Sequence, residues 1–215
     1  MALPRRSPAK AADTRERLLL AGLALAQRDG IKRLTVRAVA RQAGANLGSF
    51  VHHFGTRDAF LDEVIERWYA PVFERLQLDA AAALVPLEAL RTALLHLVGW
   101  LVDNRAFVAQ LVLDAAAGEA AAQRFVRSLD ARHPVLLLAL IQRAQQAGAL
   151  RRDDPLHQLL FLMTTLAVPV PMFHMALRQG AAPPALAQAL TAFTTDLAQV
   201  ELRLGWALRG LAPDA

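Results

Sequence analysis

Read by the spacing of its apolar positions, the chain is a succession of amphipathic helices, with no stretch of strict apolar–polar alternation. The sharpest pattern lies between Leu34 and Phe60. Val36, Val39, Ala40 and Ala43 fall at i, i+3, i+4 and i+7, which predicts a short helix over residues 36–43 with Thr35 as its N-cap. Gly44 sits just past the last periodic residue, where a helix stops without steric cost, and Asn46 can cap a second helix over residues 47–53. Two short helices around so tight a turn predict a helix-turn-helix. In the second of them Phe50 and Phe54, one turn apart, would bury together, leaving Leu47, Gly48, Val51 and His52 outward.

The same reading extends to both sides. Asp13 and Glu16 suggest a capping box that opens a helix over residues 14–28, ending at Asp29-Gly30. Leu18, Gly22 and Leu25 make its inner face, beside Leu19, Leu23 and Ala26, so that three helices form one small head. Thr56 can cap a longer helix over residues 57–78, bent at Pro71, which lacks an amide donor. Beyond Pro86 the pattern predicts helices over residues 86–103, 105–117, 119–148 with a break at His133-Pro134, 155–178 and 184–209. The expected division is therefore a flexible basic arm over residues 1–13, a helix-turn-helix head over 14–60 and a helical body over 61–210. The fold class is all-α.

Charge sharpens the picture. Residues 1–57 hold eleven Lys or Arg against three acids, whereas the remainder holds thirteen against sixteen. A basic first quarter on a mildly acidic body fits a head that meets an anionic polymer. The outward face of the second short helix is small and uncharged but flanked by Arg37, Arg41 and Arg57. Such a face suits a major groove, with arginines and backbone amides on phosphates and small side chains near bases. The arm, with Arg5, Arg6 and Lys10, could follow a minor groove. It has no apolar run of the signal-peptide kind, and a cytoplasmic protein is expected. There is no cysteine, which excludes disulfides and thiolate metal sites.

At these residues the chain resembles the TetR-type transcriptional regulators, whose usual run is close to T-V-R-x-I-A-x-x-A-G-V-S-x-G-x-x-Y-x-Y-F-x-S-K-E-x-L. Thr35, Val36, Arg37, Val39, Ala40, Ala43, Gly44, Gly48, Phe54, Thr56, Arg57, Asp58 and Phe60 stand in matching register, and the match reaches back to Arg15. Ala45, Asn46, Val51 and His53 depart from the run. The family usually places a phosphate-contacting tyrosine where Val51 stands, so the resemblance implies one backbone contact fewer. Family members also commonly carry a large aromatic at the position of Ala26, whose volume Phe50 or Phe54 would have to fill. The resemblance implies a DNA-binding dimer. Arg37 is then expected at a base, Asn46, Leu47, Gly48, Ser49 and Val51 at the groove, and Thr35, His52 and Arg57 at phosphates.

Residues 155–177 contain no Asp, Glu, Lys or Arg, a run long enough to span a bilayer. His157, Gln158, Thr164, Thr165 and His174 would place polar groups in lipid, and Pro169 and Pro171 interrupt the helix, so burial against protein is the better reading. No membrane partner is expected. The resemblance implies that this segment and the last one form a dimer interface, with Ala185, Leu186, Ala189, Leu190, Phe193, Leu197, Val200, Leu204 and Ala207 as the matching stripe on 184–209.

His96, His157 and His174 have no second ligand at i+3 or i+4, so no metal is expected, and no nucleophile elbow, phosphate loop or carboxylate pair suggests catalysis or a cofactor. An apolar small-molecule site between body helices is the remaining possibility. Trp100, Asn104, Phe107, Gln110, Met163, Thr164, Met172, Phe173 and His174 are its candidate lining, although each also suits plain core. Together these expectations describe a homodimeric regulator on a pseudo-palindromic site, a repressor relieved by a small apolar ligand. The competing reading is a helical small-molecule sensor whose head does not read DNA.

Overall fold

In the computed structural model, which describes residues 8–82 and 85–213, every regular element is a helix. They are α1 (Pro8–Asp29), α2 (Val36–Gln42), α3 (Leu47–Phe54), α4 (Arg57–Ala82), α5 (Pro86–Ala116), α6 (Ala120–Ser128), α7 (His133–Gln146), α8 (Pro155–Leu166), α9 (Pro169–Arg178), α10 (Pro184–Thr195) and α11 (Leu197–Gly210). A short 3-10 turn, Leu129–Ala131, joins α6 to α7. The chain divides into two compact units, one of residues 1–69 with 110–127, the other of residues 70–109 with 128–215. Thus α4 and α5 each pass from one unit into the other, and the first unit takes in a segment well beyond residue 60.

The first unit is built on an aromatic cluster. Phe60 is fully buried, with its ring centroid 4.9 Å from that of Phe50 and 4.8 Å from that of Phe54, while Phe50 and Phe54 are 5.4 Å apart. Gly22 of α1 makes room for it: a Cβ there would lie 2.3 Å from Phe60 Cζ. The α1 and α4 helices therefore meet around one ring, and Ala26, also fully buried, needs no large side chain of its own. Burial of a phenylalanine contributes roughly 1.5–3 kcal/mol, so three converging rings are a large share of so small a core.

The second unit has aliphatic layers. Leu90, Leu94, Leu97 and Val98 of α5, Leu137, Leu140 and Ile141 of α7, Leu159 and Leu162 of α8, and Val200 and Leu204 of α11 are buried at helical spacing. Arg203 lies among them with no carboxylate partner among the described residues. Its guanidinium donates to Phe193 O at 2.6 Å and Thr165 O at 3.3 Å, close to the C-terminal ends of α10 and α8, and lies 3.7 Å from the Phe193 ring centroid. Carbonyls at helix C-termini carry partial negative charge, which offsets some of the cost of burying the cation. Burial also lowers its pKa from the usual arginine value.

Several boundaries differ from expectation. The first helix opens at Pro8, six positions before Thr14, and Glu16 does not turn back to cap it. Glu16 pairs with Arg67 of α4, and Asp13 pairs with Arg17 at 3.4 Å. Residues 8–13 of the expected arm are thus helical, and residues 1–7 lie outside those described. The break expected at residue 104 is absent, since Asn104 donates its side-chain amide to Trp100 O within the helix, at 2.9 Å. Residues 184–209 form two helices instead of one. Asp196, with extended backbone, closes α10 and caps α11 by accepting from Ala198 N at 2.9 Å. Just before it, Thr191, Thr194 and Thr195 each donate to the carbonyl four residues back, a bonding pattern that bends helices.

Candidate nucleic-acid interface

The helix-turn-helix is set by its caps. Thr35 Oγ1 accepts from Ala38 N at 3.3 Å, which starts α2. Gly44, at φ +60°, reverses the chain, and Ala45 N donates to Ala40 O at 2.9 Å across that reversal. A residue with a Cβ adopts this conformation at a cost, so the turn needs its glycine. Asn46 Oδ1 then accepts from Ser49 N at 2.8 Å and starts α3. Val39 and Ala40 of α2 and Phe50 and Phe54 of α3 point into the unit, which fixes the opposite face of α3 outward.

That outward face matches expectation at most positions. Leu47 is 45% exposed and Val51 58%, and Gly48, His52, Thr35, Asn46, Arg37 and Arg41 are exposed as well. Among the described residues neither Arg37 nor Arg41 has an acidic partner. Gly48 is informative for a different reason. A Cβ there would meet only Asn46 Oδ1, at an ordinary 3.4 Å, so nothing inside the fold requires glycine. Its smallness faces outward, where another surface can approach the backbone closely.

Two expected groove or phosphate residues are placed differently. Ser49 is buried, because its position on the first turn of α3 faces inward beside Phe50. Arg57 is turned into its own unit: Nε donates to Leu34 O at 2.8 Å, Nη2 to Ile31 O at 2.7 Å, and Nη1 to Glu119 Oε1 at 3.2 Å. Glu119, Asp114 and Arg124 fold with the head, although their place in the sequence assigns them to the body. Arg124 meets Asp62 at 2.8 Å, and Asp114, itself buried, accepts from Lys32 N at 3.1 Å. Partners 62 and 82 positions apart leave no local signal.

The candidate ligand residues separate into groups. Trp100, Asn104 and Phe107 share one face of α5 at i, i+4 and i+7, with Phe107 buried. Gln110 belongs to the other unit and donates to Asp114 at 2.8 Å. Thr164 is exposed, its hydroxyl donating to Leu160 O at 2.7 Å, and Met172 is 48% exposed, whereas Met163 is half-buried. Phe173 packs with Phe193 at 6.2 Å. His174 Nε2 is buried with no hydrogen-bond partner among the described residues, and burial, then Arg105 and Arg178, lowers its pKa.

Comparisons with known proteins converge on one family. Residues 18–64 match the model described as bacterial regulatory proteins, tetR family. Over 85 residues the chain is 38% identical to the HTH-type transcriptional repressor KstR2 of Mycolicibacterium smegmatis. That stretch covers 39% of this chain and 41% of the relative, so the chain aligns with less than half of that protein's length. In three dimensions the likeness spans both units. The structure of the ketosteroid transcriptional regulator KstR2 of Mycobacterium tuberculosis aligns with TM-score 0.58 at 19% identity, covering 93% of this chain and 95% of its own. A TetR transcription regulator from Haloarcula marismortui aligns with TM-score 0.69 at 16% identity, covering 94% and 100%. Identities this low speak for the fold: a helix-turn-helix head on a larger helical body. Residues 18–64, with their capped helix-turn-helix, are similar to the tetR family of bacterial regulatory proteins.

Proposed function

We propose that the chain is a sequence-specific DNA-binding transcriptional regulator that works in the cytoplasm as a homodimer, a repressor relieved by a small apolar ligand. The observation that carries this reading is the outward face of α3. It is small, uncharged and centred on a glycine the fold does not need, and the exposed Arg37 and Arg41 flank it. Arg37 is assigned to a base edge, Leu47, Gly48 and Val51 to the groove, and Thr35, Asn46 and His52 to its margins. The repressor name of the M. smegmatis relative supports the sign of regulation.

Dimerisation through α8 to α11 is supported by what these helices leave uncovered. Leu160, Leu186 and Trp206 are each more than half exposed, and only 28% of the most apolar window in residues 155–178 is buried within one chain. Apolar area of this extent usually marks a protein partner. Trp206→Glu should shift a sedimenting dimer to monomer at micromolar concentration while leaving helical content unchanged; a variant that stays dimeric moves the interface elsewhere. For the effector, Trp100, Asn104 and Phe107, on one face of α5, are the proposed lining of a site for a small apolar ligand.

The test of DNA reading is selection from a random duplex pool, then anisotropy titration at two salt concentrations. A pseudo-palindrome bound about a thousandfold or more tighter than random DNA is the expected result. With Arg37→Ala, affinity should fall by about 1–3 kcal/mol and preference relax at one base pair. Weak, sequence-blind binding by the unaltered protein would overturn the regulator reading.

A further inference from the structure

Arg57 stands at the start of α4, where a phosphate contact is expected, but its surroundings argue for another role. Besides Leu34 O and Ile31 O, Nη2 also reaches Lys32 O and Glu119 Oε2, both at 3.3 Å. The planar fork thereby gathers three carbonyls of the turn that leads into α2. Glu119, whose side chain is 10% exposed, offsets its charge. A phosphate brought to this guanidinium would also approach the Glu119 carboxylate and be repelled.

A second tie runs alongside. Gly30, at φ +82°, lets the same turn pass so close to α5 that a Cβ would lie 2.7 Å from Gln110 Cγ and 3.0 Å from Asp114 Oδ2. There Asp114, 3% exposed, accepts from Lys32 N and from Gln110 Nε2. Glu119 sits directly before α6, where Gln123 N donates to its carbonyl at 3.0 Å and the helix N-terminus favours its negative charge. The outer pair, Arg124 with Asp62, is solvent-exposed on both sides and adds little.

We propose that Arg57 is a positioning residue, and that Glu119 and Asp114 use it and the Lys32 amide to latch the entry turn of the helix-turn-helix to the segment Gln110–Arg127. The segment takes in the end of α5, the turn at Gly118 that carries Glu119, and α6 up to Arg127. The inference rests on the DNA-reading proposal only for its binding readout.

The experiment compares Arg57→Lys, Arg57→Gln, Glu119→Gln and the Arg57→Gln/Glu119→Gln double variant in the full chain. Lysine keeps the charge but cannot fork to three carbonyls and a carboxylate at once. Amide hydrogen exchange should quicken by about tenfold or more at Lys32 and Leu34 in every variant, while Val200 and Leu204 in α11 stay protected. Affinity for the selected duplex should fall by about tenfold with the salt slope unchanged, and the double variant should be no worse than either single change. Wild-type exchange and affinity in Arg57→Lys would overturn the latch. So would a salt slope reduced by about 0.9 in Arg57→Gln beside a neutral Glu119→Gln, the signature of a phosphate contact. If the unaltered protein selects no duplex, the regulator reading fails and the exchange measurement alone decides the latch.

Discussion

Exposed Leu47 and Val51 of α3 share the helix-turn-helix with exposed Arg37 and Arg41 of α2, whereas on α8, α10 and α11 exposed Leu160, Leu186, Leu202 and Trp206 have apolar neighbours along their helices. Exposure of an apolar side chain therefore has two meanings in one molecule. Small groups among cations suit a polyanion whose bases offer apolar patches, such as thymine methyls, between phosphates. Large aliphatic and aromatic groups spread over several helices suit another protein surface, because the removal of extended apolar area from water offsets the entropy of association. The interiors differ as well. The first unit closes around three rings and a glycine, and the second stacks aliphatic layers with one buried guanidinium.

The strongest way to break this comparison is at the aromatic core. Phe60→Ala removes the ring on which Phe50, Phe54 and Gly22 converge and should cost about 3–5 kcal/mol, read as lost exchange protection at Val39 and Phe50. Retention of protection there would mean that the head is held mainly by its polar ties. Next comes acid. His133, in the second unit, has its pKa pushed down to about 4, chiefly by burial and secondly by Arg132. The unfolded chain therefore binds the extra proton between about pH 6.5 and pH 4, and stability should fall as pH drops through that window, by up to about 3 kcal/mol. His133→Gln should flatten the pH dependence of the denaturation midpoint in that window; an unchanged profile would assign it to other groups. The smallest effect is expected at a cap. Asn46→Ala leaves Ser49 N without its acceptor and should cost about 1 kcal/mol, visible as a lower midpoint in urea, with binding reduced through a frayed α3 rather than a lost contact. Asn46→Asp should restore the cap.

Local periodicity and capping chemistry already place α2 and α3 within one residue, since Thr35, Gly44 and Asn46 act on neighbours three or four positions away. The same locality explains why Leu47, Gly48, Val51 and His52 could be read as outward: Phe50 and Phe54 on one side of a short helix fix the other. Where side chains choose between near and distant partners, sequence alone misleads. Asp13 and Glu16 look like a cap but pair onward with Arg17 and Arg67, and Asn104 looks like a break but bonds within its helix. The family resemblance adds expected contacts position by position, yet the role of Arg57 depends on Glu119, 62 residues away. Nothing in the spacing of the chain connects those two. What the sequence by itself determined is the all-helical class, the helix-turn-helix and its charged surroundings, because these arise from interactions within one or two turns. The tertiary structure alone decided that Gln110–Arg127 folds with the head, that Arg57 faces inward and that Arg203 bridges two helix ends, because each rests on groups that meet only once the chain has closed on itself.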